Sequence, residues 1–110
     1  MADVIKLRTD TLFNIKMLAE ELKAGLMSNF ICEEPSCCGN AVLLCFEQYY
    51  VRVSNFVSLS VMISHEPDTT RAVIVGSGGG TGVLNLSWGA NKSIAEKAEK
   101  VFLDRGFVRE

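Results

Sequence analysis

In the strand predicted at residues 56–64, aliphatic side chains alternate with serine or methionine from Val57 to Ser64, and no other segment constrains the fold of this chain as much. Two sets of side chains fall on opposite faces of the predicted strand: Val57, Leu59, Val61 and Ile63 against Ser58, Ser60, Met62 and Ser64. A strand with one apolar face is typical of an antiparallel sheet that is covered on one side only. The aliphatic face predicts contact with helices, and the other face predicts contact with solvent, a ligand or a second subunit.

An amphipathic helix is predicted to begin after Thr9 or Asp10, either of which supplies an N-cap oxygen, and to end near Met27. Its apolar positions recur every three or four residues and form one stripe: Ile15, Leu18, Ala19, Leu22 and Leu26. If this stripe faces a core, Leu22→Ala should lower the free energy of unfolding by about 2–4 kcal/mol.

A second helix is predicted to begin near Ser93, because Ser93 and Glu96 have the spacing of a capping box, and Asn91 is the competing N-cap. Its apolar stripe consists of Ile94, Ala95, Ala98, Val101 and Phe102. Val101→Ala is expected to lower the free energy of unfolding by as much as Leu22→Ala does.

The second helix is predicted to end in a Schellman turn. Gly106 occupies the C′ position, where glycine adopts the left-handed conformation without steric cost. Phe107 follows it and is predicted to touch Phe102 across the turn.

Runs of apolar residues separated by turns predict the other strands. They are expected at residues 41–53, 72–75 and 83–88, and residues 3–8 are expected to form a short strand or an extended arm. Residues 29–40 contain Pro, Ser, Gly and Asn and are predicted to form a loop, and turns are expected at residues 54–55 and 66–69. The run 72–75 is apolar throughout, which indicates a central strand.

These elements predict one α+β domain over residues 1–110. The order β-α-β-β-β-β-α, with helices segregated from an antiparallel β-meander, indicates two layers with both helices on one face of the sheet. A length of 110 residues is typical of a single domain.

Composition and charge exclude several classes of function. The net charge of −2 comes from 11 basic and 13 acidic residues, whereas a nucleic-acid-binding domain normally has a basic excess, so we expect no nucleic-acid partner. No segment resembles a signal peptide or a membrane-spanning helix, so we expect a cytoplasmic protein without a membrane partner. Its four cysteines are then expected to be reduced thiols.

The glycine run at residues 76–82 is the most unusual segment of the chain. It lacks the Gly-Lys-Ser/Thr ending of a P-loop, and neither register gives the dinucleotide fingerprint. Two interpretations stay open: a flexible or bulged connection between strands, or a loop that contacts a ligand. Trp88 either lines the same pocket or closes the core. The candidate ligand-binding residues are Gly76, Ser77, Gly78, Gly79, Gly80, Thr81 and Trp88.

The cysteines are weak candidates for a metal site or for a catalytic nucleophile. Cys32, Cys37 and Cys38 lie close in sequence, but adjacent cysteines suit one zinc ion poorly, and Cys45 falls within a predicted strand. His65, the only histidine, is predicted to be exposed beside a turn rather than paired with a thiol. We therefore expect no catalytic residue, no metal and no cofactor, and we interpret the thiols as small apolar side chains.

Four short motifs resemble those of a known family: Tyr49-Tyr50-Val51-Arg52, Ser58-Leu59-Ser60-Val61, Gly76-Ser77-Gly78-Gly79-Gly80 and Ser87-Trp88-Gly89-Ala90. In order and spacing they resemble a family of small bacterial proteins classed as a domain of unknown function, over about residues 41–105. The Ser-Gly-Gly-Gly and Ser-Trp-Gly-Ala pair is its most specific part. The resemblance implies a bacterial cytoplasmic protein and no particular activity.

The sequence therefore predicts a non-enzymatic module that forms a homodimer through its sheet or binds a small ligand near the glycine run. A mixed apolar and small polar face is typical of an interface. The alternative is a small metal- or thiol-dependent enzyme that uses the region Cys32 to Cys45.

Overall fold

The structure, a computed structural model, describes residues 2–26, 28–51, 55–78 and 86–110, with the backbone alone for residues 86–90. Six strands and two helices are found in these ranges: β1 (Asp3–Thr9), α1 (Ile15–Gly25), β2 (Asn29–Pro35), β3 (Ala41–Tyr50), β4 (Asn55–His65), β5 (Thr70–Gly78), α2 (Leu86–Leu103) and β6 (Val108–Arg109). The predicted α+β class and the order β-α-β-β-β-β-α are confirmed, and β6 follows the last helix.

The six strands form one antiparallel sheet in the order β2-β3-β4-β5-β1-β6. Strands β2 to β5 are a meander of sequential neighbours, whereas β1 lies between β5 and β6. The predicted central strand at residues 72–75 is the middle of β5, which has neighbours on both sides. Strand β2 and the short strand β6 are the two edges of the sheet.

Both helices cover the same face of the sheet. Helix α2 contacts β5, β1 and β4, and α1 contacts β3, β4 and α2. The strands bury their alternate aliphatic side chains beneath the helices: Ile5, Leu7, Val42, Leu44, Phe46, Val57, Leu59, Val61, Ile63, Ala72 and Ile74. The alternation of residues 56–64 is confirmed, since all four of its aliphatic side chains are fully buried.

Helix α1 has the predicted apolar stripe but a different beginning. Its N-cap is Asn14, whose side-chain oxygen accepts a hydrogen bond from the Met17 N–H at 3.0 Å. The prediction of Thr9 or Asp10 is wrong because Thr9 is the last residue of β1, where it pairs with Thr70. The five stripe residues are all buried.

Strand β2 occupies part of the segment predicted as a loop, and that prediction is wrong there. Asn29 to Pro35 pair with β3 along its length, with a register shift between Phe30 and Cys32. The strand is an edge and its side chains are nearly all exposed, so it has no hydrophobic alternation. The ladder with β3, rather than burial, holds it in an extended conformation.

Helix α2 begins earlier than the capping box indicates. It starts at Leu86, so Ser93 and Glu96 lie inside the helix and the predicted N-cap at Ser93 is wrong. The predicted strand at residues 83–88 is wrong where it overlaps α2, and its first three residues lie outside the described residues. The predicted turn at residues 54–55 also falls partly outside them, because Ser54 is not described.

The C-terminal end of α2 is the predicted Schellman turn. Gly106 has a φ of 92°, and its N–H donates to the Leu103 carbonyl at 3.0 Å. The Phe107 N–H donates to the Phe102 carbonyl at 3.1 Å, and their rings pack edge to face with centroids 5.2 Å apart. This pair of bonds satisfies carbonyls that would otherwise lack a partner at the helix end.

Leu22→Ala is expected to lower the free energy of unfolding by about 2–4 kcal/mol, because Leu22 is fully buried between α1 and the sheet. Met17→Ala is the matched control on the outer side of the same helix, where the side chain is 39% exposed, and it should cost less than about 1 kcal/mol. Val101 is only partly buried, so its alanine variant should cost less than Leu22→Ala. Urea denaturation of the three variants checks the order of these losses.

Candidate functional site

The face of the sheet opposite the helices, called the open face below, carries an apolar patch. No described helix packs on it. Val4, Leu43 and Met62 are 54%, 42% and 41% exposed, and Val73 and Val75 between them are half-buried. Contiguous exposed apolar side chains of this kind mark interaction surfaces on small proteins.

One row of the open face runs across five strands and ends in opposite charges. The strand register places its members side by side, from β2 through β3, β4 and β5 to β1: Glu34, Leu43, Met62, Val73 and Lys6. We call this set the charged row. Within the described part of the chain, neither Glu34 nor Lys6 makes a salt bridge. An acid, three apolar residues and a base therefore follow each other across the face.

The aromatic pair Tyr49 and Phe56 extends the open face at one end. Their rings pack edge to face with centroids 5.3 Å apart, and both side chains are about half exposed. Next to them, the Ser58 and Ser77 hydroxyls hydrogen-bond each other at 3.0 Å across β4 and β5. Ser77 is the one predicted ligand-binding side chain that the structure locates on this surface.

Gly76 begins the glycine run, and the described part of the run belongs to β5 rather than to a loop. A Cβ atom at Gly76 would lie 2.4 Å from the Asn91 carbonyl oxygen and 3.1 Å from Ile94 Cγ2. Glycine is therefore required here because α2 crosses close to the strand. Gly78 has a φ of 88°, a backbone conformation that residues other than glycine rarely adopt.

The other candidate ligand-binding residues are not brought together within the described part of the chain. Gly79, Gly80 and Thr81 lie outside the described residues, and Trp88 lies in the first turn of α2, where the backbone alone is described. Ligand binding at the glycine run stays a prediction.

The cysteines separate into two pairs. Cys32 on β2 and Cys45 on β3 are directly opposite each other, whereas Cys37 and Cys38 lie in the turn between these strands. A hydrogen bond with Cys45, followed by desolvation, raises the pKa of the Cys32 thiol. Among the described residues, no three His, Cys, Asp or Glu side chains gather as a metal site would require.

His65 borders a cleft on the helix side of the sheet. The cleft has a volume of about 470 Å³ and lies between the start of α1, the end of β2 and the start of β3. His65 is half-buried, contrary to its predicted exposure, and its Nε2 donates to the Phe13 carbonyl at 2.6 Å. Glu33, also at the cleft, accepts a hydrogen bond from Lys23, with 2.6 Å between Nζ and Oε1. Hydrogen bonds to Glu20 and Glu33 raise the pKa of Lys23. No sequence pattern signals this cleft, because its walls come from four separate elements.

A comparison with protein families identifies the chain. The profile described as "Family of unknown function (DUF6054)" matches residues 13–104, which is most of the chain. The chain belongs to DUF6054. In this DUF6054 chain the matched region runs from just before α1 to just past the end of α2 and includes β2 to β5. Neither a curated protein nor a solved structure is significantly similar to it.

The family assignment confirms the coarse part of the predicted resemblance, namely a family of unknown function. It carries no activity over to the DUF6054 chain. Neither helix in the described ranges has the combination of length and hydropathy that spanning a bilayer requires. The open face, the cleft and the cysteine pair are thus the features from which a function can be argued.

Proposed function

We propose that this chain is a non-enzymatic module that forms a homodimer through the open face. The observation that carries the proposal is the charged row, in which Glu34 and Lys6 stand at opposite ends of an apolar centre. A surface that has its acid and its base on opposite sides of an apolar patch is complementary to itself.

The symmetry of the sheet supports this pairing. Among the first five strands in the order β2-β3-β4-β5-β1, β4 is the middle one. A two-fold axis along β4, lying between two facing sheets, exchanges β3 with β5 and β2 with β1. Glu34 then faces the partner's Lys6, Leu43 faces the partner's Val73, and Met62 lies on the axis against its own copy. Aligned packing of two sheets is a common way to cover apolar faces.

The size of the open face suits a weak dimer. Five strands about 4.8 Å apart and about seven residues long cover roughly 500 Å² per subunit, or roughly 1,000 Å² in total. This area is at the lower limit for a specific interface, so we expect a dissociation constant of about 1–100 µM. Because two ion pairs lie at the rim, the dimer should weaken as salt concentration rises.

Met62→Arg is expected to make the chain monomeric, raising the dimer dissociation constant at least about 100-fold. The substitution places two like charges against each other on the two-fold axis, where they cost several kcal/mol. Sedimentation velocity over a concentration series measures this constant. Met17→Arg is the matched control, since Met17 is 39% exposed and Met62 41% exposed but Met17 lies on the outer side of α1.

Charge reversal tests the orientation of the two copies. Glu34→Lys and Lys6→Glu should each weaken the dimer, and the double variant should restore it, because each end again meets an opposite charge. A wild-type chain that sediments as a monomer at millimolar concentration would contradict the proposal. Loss of the dimer in Met62→Arg without rescue in the double charge reversal would reject this two-fold axis.

A cytoplasmic location is part of the same proposal. Four free cysteines, three of them exposed, are compatible with a reducing compartment. Fractionation of cells that express the untagged chain would test this location.

A further inference from the structure

Cys32 and Cys45 form a cross-strand pair on the open face. They are directly opposite each other in the register of β2 and β3, next to a register shift between Phe30 and Cys32. Cys32 on the edge strand is exposed, and Cys45 on the neighbouring strand is half-buried. In the single chain, one thiol of the pair is therefore accessible to a reagent in solution, and the other lies beside it.

The backbone spacing of this pair fits a disulfide. Opposite residues of an antiparallel ladder have Cα atoms about 4.5–5.5 Å apart, within the range of about 4.4–6.8 Å that disulfides span. Interaction with the Cys45 side chain raises the pKa of the Cys32 thiol, as expected for two neighbouring thiols. The register shift between Phe30 and Cys32 interrupts the ladder beside the pair.

We propose that Cys32 and Cys45 are a reversible dithiol–disulfide site that reacts with low-molecular-weight disulfides of the glutathione class. Both sulfurs belong to one chain, so this inference goes beyond the proposed homodimer and does not rest on it. Cys37 and Cys38, which are adjacent in a turn, are not part of the site.

The reaction balances in two exchange steps. The exposed Cys32 loses its proton to solvent, and its thiolate attacks one sulfur of glutathione disulfide, whose S–S bond breaks and releases a first glutathione thiolate. The Cys45 thiolate then attacks the Cys32 sulfur of this mixed disulfide and releases a second glutathione thiolate. The two protons from the protein end on the two glutathione molecules, the protein dithiol is oxidised by two electrons, and glutathione disulfide is reduced.

The bond would fasten one of the two edge strands of the sheet. β2 is hydrogen-bonded to the sheet on one side only, through β3. A covalent link between β2 and β3 restricts the unfolded chain over the segment that separates the two cysteines. Oxidation should therefore raise the melting temperature by about 10 °C, and dithiothreitol should reverse the change.

The test uses the full chain carrying Cys37→Ser and Cys38→Ser, incubated with glutathione disulfide and analysed by mass spectrometry under denaturing conditions. We expect loss of the mass of two hydrogen atoms, a peptide that links Cys32 to Cys45, and the higher melting temperature. The matched control carries Cys32→Ser and Cys45→Ser and keeps the other two thiols. It should show no rise in melting temperature under the same conditions.

Several outcomes would overturn the proposal. In the variant that keeps Cys32 and Cys45, the reaction could stop at glutathione adducts, or it could link two chains rather than one. An equal rise in melting temperature in the matched control would also reject it. A dimer formed through the open face would cover Cys32, so the incubation is run at a chain concentration well below the expected dimer dissociation constant. The results then do not depend on whether the chain dimerises.

Discussion

Gly76→Ala is expected to lower the free energy of unfolding by about 3 kcal/mol, at the upper end of the usual cost of an extra methyl group in a packed core. The new Cβ would lie 2.4 Å from the backbone carbonyl oxygen of Asn91. This oxygen belongs to α2, so it cannot move aside as the end of a side chain could. The whole helix must shift away from β5, which loosens the contact of Ile94 with the strand. Urea denaturation monitored by circular dichroism measures the loss.

Two matched substitutions separate this clash from other effects of replacing glycine. At Gly39 the φ is 74°, and apart from the adjoining residues of the chain no atom lies within 4 Å of the position that a methyl group would take, so Gly39→Ala should cost only about 1–2 kcal/mol of backbone strain. Ser77 is the next residue of β5, and its side chain lies on the open face. Ser77→Ala should lower the free energy of unfolding by less than Gly39→Ala. If Gly76→Ala left the denaturation midpoint unchanged, the close approach of α2 to β5 would be refuted.

Phe102→Ala is expected to be the most destabilising single truncation, at about 3–5 kcal/mol. Phe102 is fully buried, and its ring packs against Phe107, which in turn stacks on Phe13 at 5.7 Å between centroids. Alanine keeps the backbone carbonyl that accepts the Schellman hydrogen bond but removes the ring. The loss therefore reports packing between the end of α2 and the sheet rather than helix capping.

Leu103→Ala is the control for this truncation. Leu103 is the next residue of the same helix turn and is 45% exposed, so its removal should cost less than about 1 kcal/mol. Equal midpoints of the two variants would show that the C-terminal turn of α2 does not contribute to the core. Chemical denaturation of both proteins side by side decides this.

Periodic patterns in the sequence are sufficient to predict the helices and strands that bury one face. The alternation in residues 56–64 predicts β4, and the stripe from Ile15 to Leu26 predicts the buried side of α1. Both follow from the same cause, since a side chain repeats its direction every two residues in a strand and about every 3.6 in a helix. The Schellman turn at Gly106 is predictable because it depends on residues adjacent in sequence.

Elements that bury little, or that depend on distant contacts, are not predictable in this way. β2 has almost no buried side chain, so it has no periodicity, and its proline and polar residues are typical of a loop. Helix α2 contains Gly89 and Asn91, which normally interrupt a helix, yet Asn91 is fully buried beside Gly76. Tertiary packing overrides local propensity at this position.

The candidate interface could be predicted only as a type of surface. The serine- and methionine-rich side of β4 correctly indicates a face without a helical cover. The charged row, however, joins Glu34 to Lys6 through three intervening strands, and this depends on β1 lying beside β5. Nothing in the residues near Lys6 specifies that strand order. The cysteine pair likewise depends on β2, which has no strand pattern in its sequence.

The position of β1 in the sheet has a consequence for how the chain reaches its native state. β1 pairs with residues 61–73 positions later in the sequence, whereas β2 to β5 pair with their immediate successors. During synthesis the apolar side chains Ile5 and Leu7 emerge long before their partner strand exists. Local hairpins form faster than pairings between distant segments. We therefore expect the meander to form first and the insertion of β1 against β5 to be the last, rate-limiting step.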